Sequence, residues 1–207
     1  MGGVFMKKLT VLLCTCLLVV SAFWFADILK DRQTLNNNLL RLHVVADSDE
    51  PEKQTQKLLV KDAVVSYLQE RMENVEDLSQ AVAFLEGELS ALEQLARQTL
   101  DAAGVTDRVT VSLEKEAFPV RKYDTFSLPS GVYQSLRIVI GEGKGHNWWC
   151  VVFPRLCLPA TSQGFEDNAA GAGFSDPLVN TLEEKPGYEV RFFFLDCLGW
   201  LENLLFK

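Results

Sequence analysis

Basic side chains are in the minority: 20 Lys and Arg stand against 28 Asp and Glu, which leaves a formal charge of −8 over 207 residues. That excludes the basic face on which nucleic-acid binding rests. Histidine occurs only twice, and no CxxC or HExxH pair is present. A zinc site would therefore need His43, His146, Cys150 and Cys157 to converge from separate segments. Neither GxxxxGK[ST] nor GxGxxG occurs, and there is no internal repeat. With 48 % hydrophobic and 23 % charged residues, the composition is that of a globular chain with a sizeable core.

One long apolar run is present. Lys7 and Lys8 precede residues 9–26, which carry no charge, and Asp27, Lys30, Asp31 and Arg32 restore a polar chain. A basic start, an apolar stretch and the small residues Val20, Ser21 and Ala22 describe an export signal cut after Ala22. The same run is long enough to serve as an uncleaved membrane-spanning anchor. Both readings place the remaining domain outside the cytoplasm, with membrane contact through residues 1–26 before or without cleavage. Loss of Lys7 and Lys8 takes the formal charge from −8 to −10, so acidic wall polymers and anionic lipid would repel the exported part.

Residues 39–46 form a short apolar run expected to be a buried strand, within which His43 reads as a hydrogen-bonded core histidine. Asp47, Ser48, Asp49, Glu50 and Pro51 then read as helix-start residues whose negative charge suits a helix N-terminus. The spacing of Val60, Val64, Tyr67, Leu68 and Met72 predicts one helix, to about Arg71. Asn74 and Asp77 suggest a second cap, before the stripe of Leu85, Leu89, Leu92, Ala96 and Leu100. Beyond Gly104 the period falls to two. Strands are expected over residues 109–113, 136–140 and 148–153, a long loop of low order over 161–187, a strand over 189–194 and a terminal helix after it. The pattern is α+β: two N-terminal helices packed on a mainly antiparallel sheet, with a C-terminal helix. The expected divisions are 1–26 (signal or anchor), 35–158 (core), 159–188 (variable loop) and 189–207 (closing strand and helix).

The densest chemistry lies in Gly141-Glu142-Gly143-Lys144-Gly145-His146-Asn147-Trp148-Trp149-Cys150. As a phosphate loop it fails on spacing, because the glycines fall at alternate positions and lead into a strand. As a cysteine hydrolase it would use Cys150 with His146 or His43 as base and Asn147 as orienting group. As structure, Cys150 and Cys157 would face each other across a turn at Pro154. A disulfide closing that ring of about eight residues would stabilise by roughly 2 to 3 kcal/mol. Cys197 is then left odd. Adjacent tryptophans in a strand point to opposite faces, so one can fill the core while the other is displayed as an interface anchor.

Residues 42–49 (LHVVADSD), 56–64 (QKLLVKDAV), 128–133 (LPSGVY) and 136–154 (LRIVIGEGKGHNWWCVVFP) together resemble the stage II sporulation protein R family. Two departures stand out: Asp47 occupies a position where the family usually shows Asn, and Arg155 one where it usually shows a second Pro. The resemblance implies a signal made in the forespore and exported into the space between the two sporulating compartments. There it would bind and activate a membrane-embedded aspartic protease that processes the sigma-E precursor in the mother cell. It brings no catalytic residue and no cofactor. Glu142, Lys144, His146, Asn147, Trp148 and Trp149 are the expected partner-binding residues. Two alternatives stay open: the exported cysteine hydrolase, and a degenerate copy.

Overall fold

The computed structural model describes residues 2–155 and 162–206. Helix α1 (Gly2–Asn38) is followed by β1 (Leu40–Val45), α2 (Pro51–Arg71), α3 (Leu78–Ala102) and β2 (Val109–Phe118). Then come β3 (Arg121–Lys122), β4 (Ser127–Leu128), β5 (Gly131–Ile140), β6 (Asn147–Phe153), α4 (Ser162–Gly171), α5 (Asp176–Leu182) and α6 (Glu189–Leu205).

The four long strands form one sheet in the order β2-β5-β1-β6, and β3 and β4 pair separately. β2 pairs antiparallel with β5, and β6 antiparallel with β1, while β1 and β5 run parallel. The fold is α+β as expected, and the sheet is antiparallel apart from that central pair.

Strand alternation sorts the side chains into two layers. Leu40, Leu42 and Val44 of β1 join Leu136, Ile138 and Ile140 of β5 and Val109 and Val111 of β2 under the α2–α3 hairpin. Val60, Val64, Leu68, Leu85, Leu92, Ala96 and Leu100 meet them from the two helices, on the stripes the sequence predicts. Asp77 is itself the cap of α3, its carboxylate accepting from the Gln80 amide at 2.8 Å, so the helix starts three residues later than a cap at Asn74 would place it.

The opposite layer holds Phe118, Tyr133 and Val151 from the sheet and Leu39 just before β1, covered by Ile28 and Leu35 of α1, Phe165 and Ala169 of α4, Leu178 and Leu182 of α5, and Leu195 of α6. Helix α1 therefore outlasts its apolar run. Ile28, Asp31, Arg32 and Leu35, at helical spacing, are all buried against the domain.

Two expectations are corrected here. The glycine- and proline-containing stretch 161–187 holds α4 and α5 among its described residues. The Ser175 side chain caps α5 by accepting from the Leu178 amide at 3.4 Å, and Pro177 sits in the first turn, so these residues start a helix instead of prolonging a loop. Residues 189–194 are the first turns of α6 and not a strand. Their aromatic and β-branched character is a weak local preference, overridden because helical spacing lets Leu195 and Gly199 bury together against the domain.

Candidate functional site

Asp47, Ser48 and Asp49 do not cap α2, whose N-cap is Glu50 without a side-chain hydrogen bond. Asp47 and Asp49 hold the β5–β6 loop instead. The Asp47 carboxylate accepts from the Glu142 amide at 2.7 Å, and the Asp47 and Ala46 carbonyls accept from the Lys144 and Gly145 amides at 3.1 and 2.9 Å. Asp49 accepts from the His146 amide at 2.6 Å and lies 2.5 Å from His146 Nδ1. Lys57 of α2 donates to the His146 carbonyl at 3.0 Å and to Gln54 at 2.6 Å. Burial pushes its ammonium pKa down, against the raising effect of Asp49.

The glycines make this approach possible. Gly141 has φ +59°, and a Cβ there would lie 2.1 Å from Asp47 Oδ1. At Gly145 a Cβ would lie 2.3 Å from the Ser48 carbonyl oxygen.

With its backbone held from below, the loop presents side chains outward. Glu142, Lys144, His146, Asn147 and Trp148 are all exposed, and Lys144 pairs with Glu142 at 2.5 Å. Trp149 alone turns inward. The two tryptophans leave the edge strand β6 on opposite faces: Trp148 lies under the Lys61 ammonium at 4.8 Å, on the α2 side. Trp149 stacks on His43 at 3.9 Å between ring centroids and 15° between planes, and meets the edge of Phe118 at 4.8 Å. They are therefore not one aromatic patch. A shallow hollow of about 380 Å³ opens beside Trp149, lined by Arg121, Lys144, His146 and Asp49.

Behind Trp149 lies an array of charges across the sheet. His43 is buried, with Nδ1 3.0 Å from Glu116 Oε1, and Arg137 Nε lies 3.5 Å from the same oxygen. Burial would raise the Glu116 carboxyl, but the His43 hydrogen bond and the His43 and Arg137 charges outweigh it and hold its pKa below the ordinary value. Arg41, fully buried on the same face, stacks on Phe118 at 4.0 Å and donates to the Tyr123 hydroxyl at 2.9 Å. The sequence signal for this array was the alternation of Arg41 and His43 with Leu40, Leu42 and Val44, which an apolar reading of residues 39–46 passed over. His43 is the hydrogen-bonded core histidine expected.

The cysteine-hydrolase arrangement is not assembled. Cys150 points into the α2–α3 layer opposite Leu42, whereas His43 points to the other face opposite Trp149, and His146 is engaged by Asp49. Cys150 is disulfide-bonded, and Cys197 is a free, exposed thiol. Cys157 lies outside the described residues. Among the described residues no cluster of three or more His, Cys, Asp or Glu side chains could hold a metal ion.

The family model for stage II sporulation protein R matches residues 36–163. The chain is also 27 % identical over 183 residues to Stage II sporulation protein R of Bacillus subtilis (strain 168), covering 80 % of each chain. No solved structure matches it.

Proposed function

The chain belongs to the stage II sporulation protein R family, and from that premise we propose that it is an intercompartmental sporulation signal. It is exported from the forespore into the intermembrane space, with residues 1–26 as signal or anchor. There it binds the membrane-embedded aspartic protease that processes the sigma-E precursor and shifts it toward its active arrangement. A ligand does this only by binding the active arrangement more tightly, which calls for an interface and no chemical step. The family match carries the reading, and two features of the molecule support it. Helix α1 contains a charge-free stretch long enough to reach across a bilayer. The loop over residues 142–148 is pinned through its backbone, and at His146 by the Asp49 carboxylate as well, while the side chains of Glu142, Lys144, Asn147 and Trp148 stay exposed to a partner. A preorganised loop loses little entropy on binding.

The test is co-production of this chain, the receptor protease and a tagged sigma-E precursor in a non-sporulating host, following precursor conversion on a gel. Conversion that depends on this chain, and that is lost on Trp148→Ala in a folded protein, supports the proposal. Conversion that proceeds equally without this chain overturns it.

A further inference from the structure

Helix α6 is built inside out. Its charged residues after Glu189 face the domain: Arg191 binds Asp31 of α1 at 2.5 Å, Asp196 accepts from the Ser130 amide at 2.7 Å, and Glu202 binds Arg32 of α1 at 2.5 Å. The outer face from Val190 to Leu204 carries Val190, Phe193, Cys197, Trp200, Leu201 and Leu204 at intervals of three and four, all exposed. Val190, Phe193 and Trp200 keep 60 to 62 % of their surface open. A soluble domain normally covers a continuous apolar stripe of this kind.

The stripe continues another apolar surface. Helix α1 leaves its charge-free run at Phe23, Trp24, Phe25 and Ala26, with the three aromatic side chains exposed, and Asp27 is its first charge after that run. Trp24 meets the edge of Phe194 on α6 at 5.3 Å, and Phe194 in turn touches Phe193 on the open face at 5.7 Å. Eighteen helical residues span about 27 Å, close to the hydrocarbon thickness of a bilayer. The end of that run that holds Trp24 belongs at the headgroup level, where tryptophan is favoured. Helix α6 joins α1 at this level.

We propose that α6 is an interfacial helix: with α1 spanning the bilayer, the face formed by Val190, Phe193, Cys197, Trp200, Leu201 and Leu204 lies in the headgroup–acyl boundary of the same leaflet and seats the domain on the membrane. The occupant is lipid because the open face carries no charged group and only the Trp200 indole N–H and the weakly polar Cys197 thiol among apolar side chains, and because it is continuous with the charge-free surface of α1. The ion pairs to Asp31 and Arg32 fix α6 to the anchor, so that its apolar side faces the membrane and its charges stay within the domain.

Cys197 is a native reporter on this face. In the full-length Cys14→Ser/Cys16→Ser chain, reconstituted in phosphatidylethanolamine–phosphatidylglycerol vesicles, a nitroxide on Cys197 should collide more with oxygen than with a water-soluble nickel chelate. A nitroxide on a Glu142→Cys substitution in the Cys14→Ser/Cys16→Ser/Cys197→Ser chain should show the reverse. Access to nickel at Cys197 would mean a water-facing helix and overturn the proposal. Shielding from both reagents would mean cover by protein, such as a second copy, and would overturn it equally. A label on Cys16 in the Cys14→Ser/Cys197→Ser chain should be oxygen-accessible. Water access there would remove the continuity with α1 and sink the proposal with it.

Discussion

The Asp47 carboxylate, at the end of β1, accepts a hydrogen bond from the backbone amide of Glu142 at 2.7 Å, joining two segments 95 residues apart. This contact links the Asp47-Ser48-Asp49 stretch to the glycine loop, so that two motifs distant in sequence form one surface feature. Replacing Asp47 by Ala leaves that amide without its acceptor and should destabilise the domain by about 1 to 3 kcal/mol. Asp47→Asn keeps an acceptor oxygen and forfeits only the partly exposed approach of Lys53 at 3.9 Å, so its cost should stay below about 1 kcal/mol. Urea unfolding gives both values, and amide exchange at Glu142 should accelerate in the alanine variant alone.

Gly145 tests the same junction from the other side. A Cβ at this position would meet the Ser48 carbonyl, a backbone atom with no flexible end to yield. Gly145→Ala should therefore force the two loops apart at a cost of about 1 to 3 kcal/mol. It should also weaken sigma-E precursor conversion in the co-production assay more than Lys144→Ala does, since the Lys144 side chain is exposed and pairs with its neighbour Glu142.

The two tryptophans should separate folding from binding. Trp149→Ala removes the stack on His43 and the edge contact with Phe118, and should cost about 2 to 4 kcal/mol of stability. Trp148→Ala, on the α2 side where the ring is about one third exposed beside Lys61, should cost less stability than Trp149→Ala yet reduce precursor conversion about tenfold or more, as expected for an aromatic interface anchor. Equal loss of stability in the two variants would contradict this division.

Acid should weaken the sheet through Glu116. Its pKa is held below the ordinary 4.5, so its contribution to stability is complete above that value and is lost as pH falls through the lower folded value. Unfolding midpoints measured from pH 6 down to pH 3 should fall more steeply for the unaltered chain than for Glu116→Gln, which has no proton to take up. Parallel curves would show that the His43–Glu116–Arg137 array does not govern the acid limb.

Cys150→Ser should destabilise the domain by about 2 to 4 kcal/mol without abolishing precursor conversion under conditions where the variant remains folded. Peptide mapping under non-reducing conditions identifies its partner. If that partner is Cys157, Cys157→Ser should reproduce the same loss.

Local periodicity by itself determined much of this protein. The stripes of α2 and α3, the alternation in β2 and the charge-free run of α1 each depend on residues a few positions apart, and each marked an element that formed, although β2 runs on from the expected 109–113 to Phe118 and α1 continues past its apolar run to Asn38. The opposite facing of Trp148 and Trp149 followed in the same way from the strand period of two. What local pattern could not supply was the choice of distant partner. Asp47 and Asp49 carry the composition of a helix cap, but the β5–β6 loop arrives within hydrogen-bonding reach, and unpaired loop amides hold the carboxylates instead. Residues 189–194 have the composition of a strand, yet the packing of Leu195 and Gly199 makes them a helix, and Asp31 and Arg32 on α1 decide which way its charges turn. Those outcomes rest on contacts between residues far apart in the chain, whose free energy outweighs the few tenths of a kcal/mol per residue that local propensity supplies.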